Sequence, residues 1–193
     1  MKGPAPLRIV FDELRDALAR IGVTYAVMGG VASTHWGLPH YTHDLDIAVG
    51  VKAGDAAAFV HAMEASGYIV PDEFRGGWTD ELAGTRKIVV KKFAGGHVWD
   101  VDVFLDESEF VRSAIARRVT VDLDGRMTPL VTPEDLVLFK LIAWRDKDRG
   151  HLNDLLLVVG PLDDAYLAQW ADRLGVRDRL EEQWRRSGRV LRA

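Results

Sequence analysis

Apolar residues recur along the chain with two different spacings, and the change from one to the other predicts the order of helices and strands. Over residues 6–20 an apolar residue returns at every third or fourth position, which is typical of an amphipathic helix. Elsewhere, short apolar or alternating runs predict strands. The predicted strands cover about residues 23–28, 45–49, 87–93, 98–105, 119–123 and 127–131. Further helices are predicted near residues 31–36, 53–66 and 108–116, with a loop over 71–84.

The last third of the chain differs from the rest because it contains only helical spacing. Thr132 can cap a helix through its hydroxyl, and Pro133 suits the first helical position. Additional helices are predicted near residues 148–158, 163–173 and 178–188. The sequence therefore predicts an α+β chain, with a front domain over residues 1–131 and a C-terminal helical domain over 132–193.

Composition places the chain among ordinary globular proteins and excludes several classes. Of its 193 residues, 48% are hydrophobic and 28% are charged, which excludes intrinsic disorder. The absence of cysteine excludes disulfide scaffolds and cysteine-ligated zinc sites. The net charge of −4 argues against a globally basic nucleic-acid binder. No apolar run suits a signal peptide or a membrane span, so we expect a cytoplasmic protein with no membrane partner.

The C-terminal end is more basic than the rest of the chain. Residues 173–193 contain seven arginines against three acidic residues. The spacing of Glu181 and Glu182 from arginines four positions later is typical of a solvated helix. Contact with RNA, a phosphate or an acidic partner protein is the alternative interpretation.

Two pairs of aspartates lie in predicted strands. Asp44 and Asp46 form one pair and Asp100 and Asp102 the other, and residues two apart on a strand share a face. Carboxylates about 7 Å apart repel each other, unless a divalent cation neutralises them. Oxygen ligands of this kind favour Mg²⁺ or Mn²⁺. If the two strands are neighbours, three or four carboxylates converge, as two-metal phosphoryl chemistry requires. A solvated strand edge is the alternative for either pair alone.

Gly29-Gly30 follows a predicted strand and opens a short helix. Glycine lets the backbone approach a ligand closely, and backbone N–H groups at such a turn can hold phosphate. A strand, two glycines and a helix are common in proteins, so this motif is weak by itself. Its combination with the two aspartate pairs is much more specific.

The order of these motifs resembles the nucleotidyltransferase superfamily, which has the DNA polymerase β-like fold. The resemblance lies in Gly-Gly-x-Ala from Gly29, x-Thr-x-Asp-Leu-Asp ending at Asp46, and Val-Asp-Val-Phe over residues 101–104. Within the superfamily the chain is most similar to the AbiEii-type group, which includes toxins of type IV toxin–antitoxin systems. That similarity rests on a helical signature: Thr132 to Leu136, Lys140 to Arg145, Lys147-Asp148 and Asp154-Leu155.

The resemblance covers about Val23 to Leu155 and implies both a fold and a reaction. It implies a mixed sheet flanked by helices in the catalytic front domain, with a C-terminal helical bundle across a cleft. The implied reaction moves an NMP from an NTP to a hydroxyl and releases pyrophosphate, with Mg²⁺ or Mn²⁺ bound. The implied acceptor is a tRNA 3′ end or a protein, and a cognate antitoxin is a candidate partner. The alternatives are a small-molecule (antibiotic) adenylyltransferase and a catalytically idle member that binds a nucleotide or a partner.

The resemblance also implies a role for each matching residue. Asp44 and Asp46 would hold both metals. Asp102 would be the third carboxylate and the base for the incoming hydroxyl, with Asp100 as the alternative because strand period does not separate them. The implied nucleotide-binding residues are Gly29, Gly30, Thr42, Lys140, Arg145 and Asp148. The two glycines would contact the triphosphate, Lys140 would reach a phosphate, and Arg145 with Asp148 would organise the helical side of the cleft.

The histidines near this motif depart from the family pattern. His40 stands where many relatives have arginine, so a permanent charge is replaced by a group that titrates near neutrality. His35, His40 and His43 could also suggest zinc. Their spacing crosses a proline turn and no cysteine completes a familiar set, so the sequence does not favour zinc.

Overall fold

The computed structural model of the chain describes residues 5–39, 44–51, 55–76, 78–79, 86–105 and 108–189. The helices are α1 (Ala5–Arg20), α2 (Gly29–His35), α3 (Ala56–Ala65), α4 (Asp72–Arg75), α5 (Glu109–Arg117), α6 (Pro133–Ala143), α7 (Asp146–Val158), α8 (Asp164–Arg173) and α9 (Arg177–Ser187). The strands are β1 (Tyr25–Val27), β2 (Asp44–Val49), β3 (Trp78–Thr79), β4 (Arg86–Ala94), β5 (His97–Leu105), β6 (Val119–Asp122) and β7 (Met127–Leu130).

The described strands form one mixed sheet in the order β3-β4-β5-β2-β1-β7-β6. The β2–β5 and β1–β7 pairs are parallel, and the other neighbours are antiparallel. The sheet, its flanking helices and the helical C-terminal part confirm the predicted α+β class. In the described residues no helix is both long enough and apolar enough to cross a membrane.

Two sequence predictions need correction. The predicted loop over residues 71–84 contains α4 and β3. Helix α4 begins after Pro71, and Asp72 in its first turn accepts a hydrogen bond from Arg75 at 2.9 Å. Such a short helix has too few turns to show an apolar period. The second correction concerns α2, which begins at Gly29 rather than at residue 31, so that both glycines belong to its first turn.

The sheet separates two hydrophobic cores. One face packs against α1 and α3, and it presents the alternating apolar residues of β2, β4 and β5, such as Ile47, Ile88 and Val103. The other face presents Ala26 and Ala48 to a core that includes α5 and the C-terminal helices. This second core therefore contains residues from both sides of the predicted domain boundary at residue 131, which remains a prediction. The aspartates lie on this second face.

Polar contacts hold α6 in the centre of the helical part. Asp135 is fully buried and accepts hydrogen bonds from the hydroxyls of Tyr166 at 2.6 Å and Thr132 at 2.7 Å. At the other end of α6, Arg179 of α9 donates to the carbonyls of Leu141 at 2.8 Å and Ile142 at 3.2 Å. These bonds satisfy carbonyls that a helix end leaves without a partner. They fix the helix that carries Lys140.

Several described arginines of the basic C-terminal segment make such contacts. Arg177 donates to Glu181 at 2.9 Å, and Arg189 donates to the Leu156 carbonyl at the end of α7 at 2.7 Å. These contacts favour the interpretation of α9 as a packed helix with one solvated face.

Candidate active site

Strand register brings the two aspartate pairs together. Parallel strands β2 and β5 are neighbours, with Asp44 opposite Asp100 and Asp46 opposite Asp102. Because alternate residues of a strand share a face, all four carboxyl groups lie on one face of the sheet. Leu45 and its neighbours in register occupy the opposite face, in the first core. The sequence analysis predicts that the carboxylates converge if these two strands are neighbours, and in the structure they are neighbours.

A cleft opens over this face, between the sheet and the helical part of the chain. Its floor contains the sheet residues and the start of α2, and its other wall contains α6 and the start of α7. Among its lining residues are eight of the predicted ones: Gly29, Gly30, Asp44, Asp46, Asp102, Lys140, Arg145 and Asp148. Asp100 does not line the cleft. Thr42 and His40 lie outside the described residues, so their predicted roles remain predictions.

Several lining residues were not singled out by the sequence. Ser33 of α2 is buried and donates to the Gly29 carbonyl at 2.9 Å. Lys87 of β4 and His151 of α7 also line the cleft. The alternation of β4 was the available signal for Lys87, because it places Lys87 and Lys91 on one face and Lys92 on the other.

Gly29 and Asp46 are in unusually close contact. The φ of Gly29 is +60°, in the left-handed region that favours glycine. A Cβ atom at this position would lie 1.9 Å from Oδ2 of Asp46 and 2.5 Å from its Cγ. No other residue fits here without displacing the carboxyl group. The absence of a side chain on Gly29 therefore allows the start of α2 to lie this close to Asp46.

The surroundings of Asp46 disfavour its ionised form. Burial, with smaller contributions from the neighbouring charges of Asp102 and Asp44, raises the pKa of Asp46 to about 6. Lys87 and Lys140 act in the opposite direction. A carboxylate in such surroundings is stabilised by an added cation.

The donor set fits a hard divalent cation. The carboxylates of Asp44, Asp46 and Asp102 offer only oxygen, and hard cations such as Mg²⁺ and Mn²⁺ prefer oxygen ligands. As the side chains stand, no three histidine, aspartate or glutamate residues within the described ranges form a ready-made ligand cluster. Asp102 is instead engaged with Lys87, its ion-pair partner on β4.

The wall opposite the aspartates carries positive charge. Lys140 has only 9% of its surface exposed, and its Nζ lies 3.9 Å from Oδ1 of Asp148. Arg145 donates through Nε to Oδ2 of the same carboxylate at 2.6 Å. Burial lowers the pKa of Lys140, while Asp148 and Asp46 oppose that shift. Asp148 therefore holds two cationic side chains beside the cleft.

The histidines provide no test of the zinc alternative. His35 lies at the end of α2, where its ring centroid is 4.7 Å from that of Trp36. His43, like His40, lies outside the described residues.

Comparison with known proteins supports the fold. No family model and no curated protein sequence matches the chain. Among solved structures, an antigenic nucleotidyltransferase-like protein from Paracoccidioides brasiliensis is 18% identical, with a TM-score of 0.58, over 97% of this chain and 96% of that one. A proposed nucleotidyltransferase from Thermotoga maritima is 16% identical, with a TM-score of 0.50, over 78% and 91%.

A third solved structure is that of ANT(2″)-Ia in complex with adenylyl-2″-tobramycin. It is 12% identical to this chain, with a TM-score of 0.51, over 91% of this chain and 97% of that one. The chain therefore has a nucleotidyltransferase-like fold. None of these three similarities points specifically to the AbiEii-type group.

Proposed function

We propose that the chain is a metal-dependent nucleotidyltransferase that moves an NMP from an NTP to a hydroxyl group and releases pyrophosphate. The observation that carries the proposal is the arrangement of Asp44, Asp46 and Asp102 on one sheet face, with the cationic Lys140 and Arg145 across the cleft. Carboxylates on one side and cationic groups on the other suit a metal-bound, negatively charged triphosphate.

Asp44, Asp46 and Asp102 would hold the Mg²⁺ or Mn²⁺ ions. When bound, such ions supply positive charge that stabilises the attacking and leaving oxygens of an in-line displacement at phosphorus. Their ligands lie on two hydrogen-bonded strands of the sheet, so the scaffold of the site is rigid.

The chain's own groups would orient the triphosphate. Lys140 and Arg145 would contact phosphate oxygens, and Asp148 would keep both cationic side chains aimed at the cleft. The backbone of Gly29 and Gly30, which lines the cleft, would approach the same triphosphate. Holding the reacting groups in position accounts for much of the rate acceleration in such reactions.

Asp102 would accept the proton of the attacking hydroxyl. In that step the acceptor oxygen forms a bond to the α-phosphorus, and the bond from this phosphorus to the bridging oxygen of pyrophosphate breaks. Asp102 lines the cleft and Asp100 does not, which favours Asp102 as the third carboxylate and the base.

Two acceptor classes follow from different observations. The helical signature from Thr132 to Leu155 favours an AbiEii-like enzyme acting on a tRNA 3′ end or a protein, such as a cognate antitoxin. The structure of ANT(2″)-Ia with adenylyl-2″-tobramycin has a similar fold and a small-molecule acceptor, so an antibiotic adenylyltransferase is the alternative. Either reaction uses NTP and Mg²⁺, and we propose that it takes place in the cytoplasm.

Incubation with NTPs labelled at either the α- or the γ-phosphate tests this proposal. The protein would be mixed with Mg²⁺ or Mn²⁺ and, separately, with total tRNA, cell proteins and aminoglycosides. We expect the α-label on one of these acceptors and the γ-label only in pyrophosphate, because the bond beyond the α-phosphorus is the one that breaks. Label on RNA, protein or drug identifies the acceptor class.

The Asp44→Asn variant is the control and should transfer no label. Transfer of the γ-label would contradict the proposal, because it indicates phosphoryl rather than nucleotidyl transfer. Calorimetric binding of an NTP without transfer to any acceptor would support the idle, nucleotide-binding alternative.

A further inference from the structure

Two lysines of β4 form ion pairs with two aspartates of β5, on the same sheet face. Lys87 pairs with Asp102, and Lys91 pairs with Asp100 at 2.8 Å between Nζ and Oδ1. The first pair is the more buried, with 22% and 19% of the two side chains exposed, against 34% and 39% for the second. The two pairs thus have the same chemistry in different surroundings.

Register explains why the pairs differ. Lys91 lies directly opposite Asp100, so the two side chains meet straight across the strand pair. Lys87 lies opposite Phe104, so its side chain extends diagonally across the strand pair to contact Asp102. Its Nζ is 5.9 Å from the centroid of the Phe104 ring. Lys87, Phe104 and Asp102 all line the cleft, whereas Lys91 and Asp100 do not.

The Lys87 ammonium and a bound divalent cation would compete for the same carboxylate. Two positive charges in contact with one carboxylate repel each other, and partial burial strengthens the repulsion relative to bulk water. A lysine is suited to such exchange because its ammonium is a point charge on a flexible stem.

We propose that Lys87 is an exchangeable counter-ion for Asp102, which occupies the carboxylate until a divalent cation displaces it and thereby weakens cation binding. Lys91, in contrast, pairs with Asp100 outside the cleft, away from the proposed cation site. This inference rests on the proposed function, since it assumes that Asp102 is a metal ligand. It makes Lys87 a positioning residue that sets the cation affinity of the site.

The test is the affinity of the nucleotide-free protein for Mn²⁺, measured by electron paramagnetic resonance of the free ion. We expect Lys87→Gln to bind Mn²⁺ roughly five- to tenfold more tightly than the unaltered chain, because a competing charge is removed. Lys91→Gln loses an equivalent ion pair outside the cleft, and its affinity should stay within about twofold. Lys87→Arg keeps the charge and should not bind more tightly.

Circular dichroism would first establish that each variant is folded, and Lys87→Met would replace Lys87→Gln if the latter is not. Unchanged or weaker Mn²⁺ binding by the folded Lys87 variant, or equal tightening by Lys91→Gln, would overturn the inference. If the unaltered chain transfers NMP but the Lys87 variant shows no tightening, only this inference fails. If the unaltered chain neither binds Mn²⁺ nor transfers NMP from an NTP, the proposed function fails with it.

Discussion

Asp46→Asn is expected to make the metal-free protein more stable while it abolishes nucleotidyl transfer. The pKa of Asp46 is raised to about 6, mainly by burial, so its ionised form is unfavourable in the folded chain above that pH. The rise from the ordinary aspartate value of 3.8 corresponds to a few kcal/mol at most, which the partial solvent exposure of Asp46 reduces to about 1–2 kcal/mol. Asparagine has nearly the same shape and removes this charge.

The stability gain of Asp46→Asn should depend on pH, because the pKa of Asp46 is raised in the folded chain. Above about pH 6 both the folded and unfolded chains carry the charge, and the folded chain is destabilised by it in full. As pH falls toward 4 the folded chain binds the proton first, so its disadvantage disappears. The stability gain of Asp46→Asn in EDTA should therefore be largest near pH 8 and shrink toward pH 4, as measured by urea unfolding.

Function should change in the opposite direction, because the same carboxylate is proposed to hold the metal. We expect Mn²⁺ affinity and transfer rate to fall by more than ~100-fold in Asp46→Asn. The matched control is Asp100→Asn, on the same face but paired with Lys91 outside the cleft. It should leave Mn²⁺ affinity nearly unchanged and bring no stability gain. Equal behaviour of the two variants would contradict the assignment of the site.

Gly29→Ala is the second change with a large expected effect. The new Cβ would meet Oδ2 of Asp46 at 1.9 Å, so either α2 or the carboxyl group must move. Left-handed φ adds a strain of about 1–2 kcal/mol for a residue with a side chain. We expect a loss of unfolding free energy of roughly 2–4 kcal/mol and at least a tenfold loss of Mn²⁺ affinity, measured by urea unfolding and by Mn²⁺ titration.

Gly22→Ala separates the strain from the collision. Gly22 has a similar φ of +67°, and nothing lies within 4 Å of the position that its Cβ would take. This variant should lose only the strain energy and should keep its Mn²⁺ affinity. If Gly29→Ala were no worse than Gly22→Ala in both measurements, the close contact with Asp46 would have no functional meaning.

The shared face of each aspartate pair could be predicted from sequence because it depends only on strand period. Which strands are neighbours, and in which register, depends on contacts between distant segments. The distinction between Asp100 and Asp102 therefore needed the structure. The pairing of Lys87 with Asp102 could not be predicted for the same reason, because it depends on the register between β4 and β5.

Neither the short helix α4 nor the acceptor of the reaction could be predicted from the sequence, for different reasons. Helix α4 is a single turn held by local ion pairs such as Arg75 with Asp72, and it has no apolar period to detect. The acceptor is chosen by contacts that lie beyond the catalytic motifs, and the three similar structures described above are each under 20% identical to this chain. A shared fold at that distance does not determine a substrate.

The proposed metal site is tested most directly by the position of Mn²⁺ in crystals grown with a non-hydrolysable NTP analogue, located by anomalous diffraction. We expect density for the ion at the carboxylates of Asp44, Asp46 and Asp102, with the triphosphate extending toward Lys140 and Arg145. Lys87 should then have left Asp102. An ion bound elsewhere, or a nucleotide outside the cleft while the three carboxylates hold no ion, would contradict the proposed metal site.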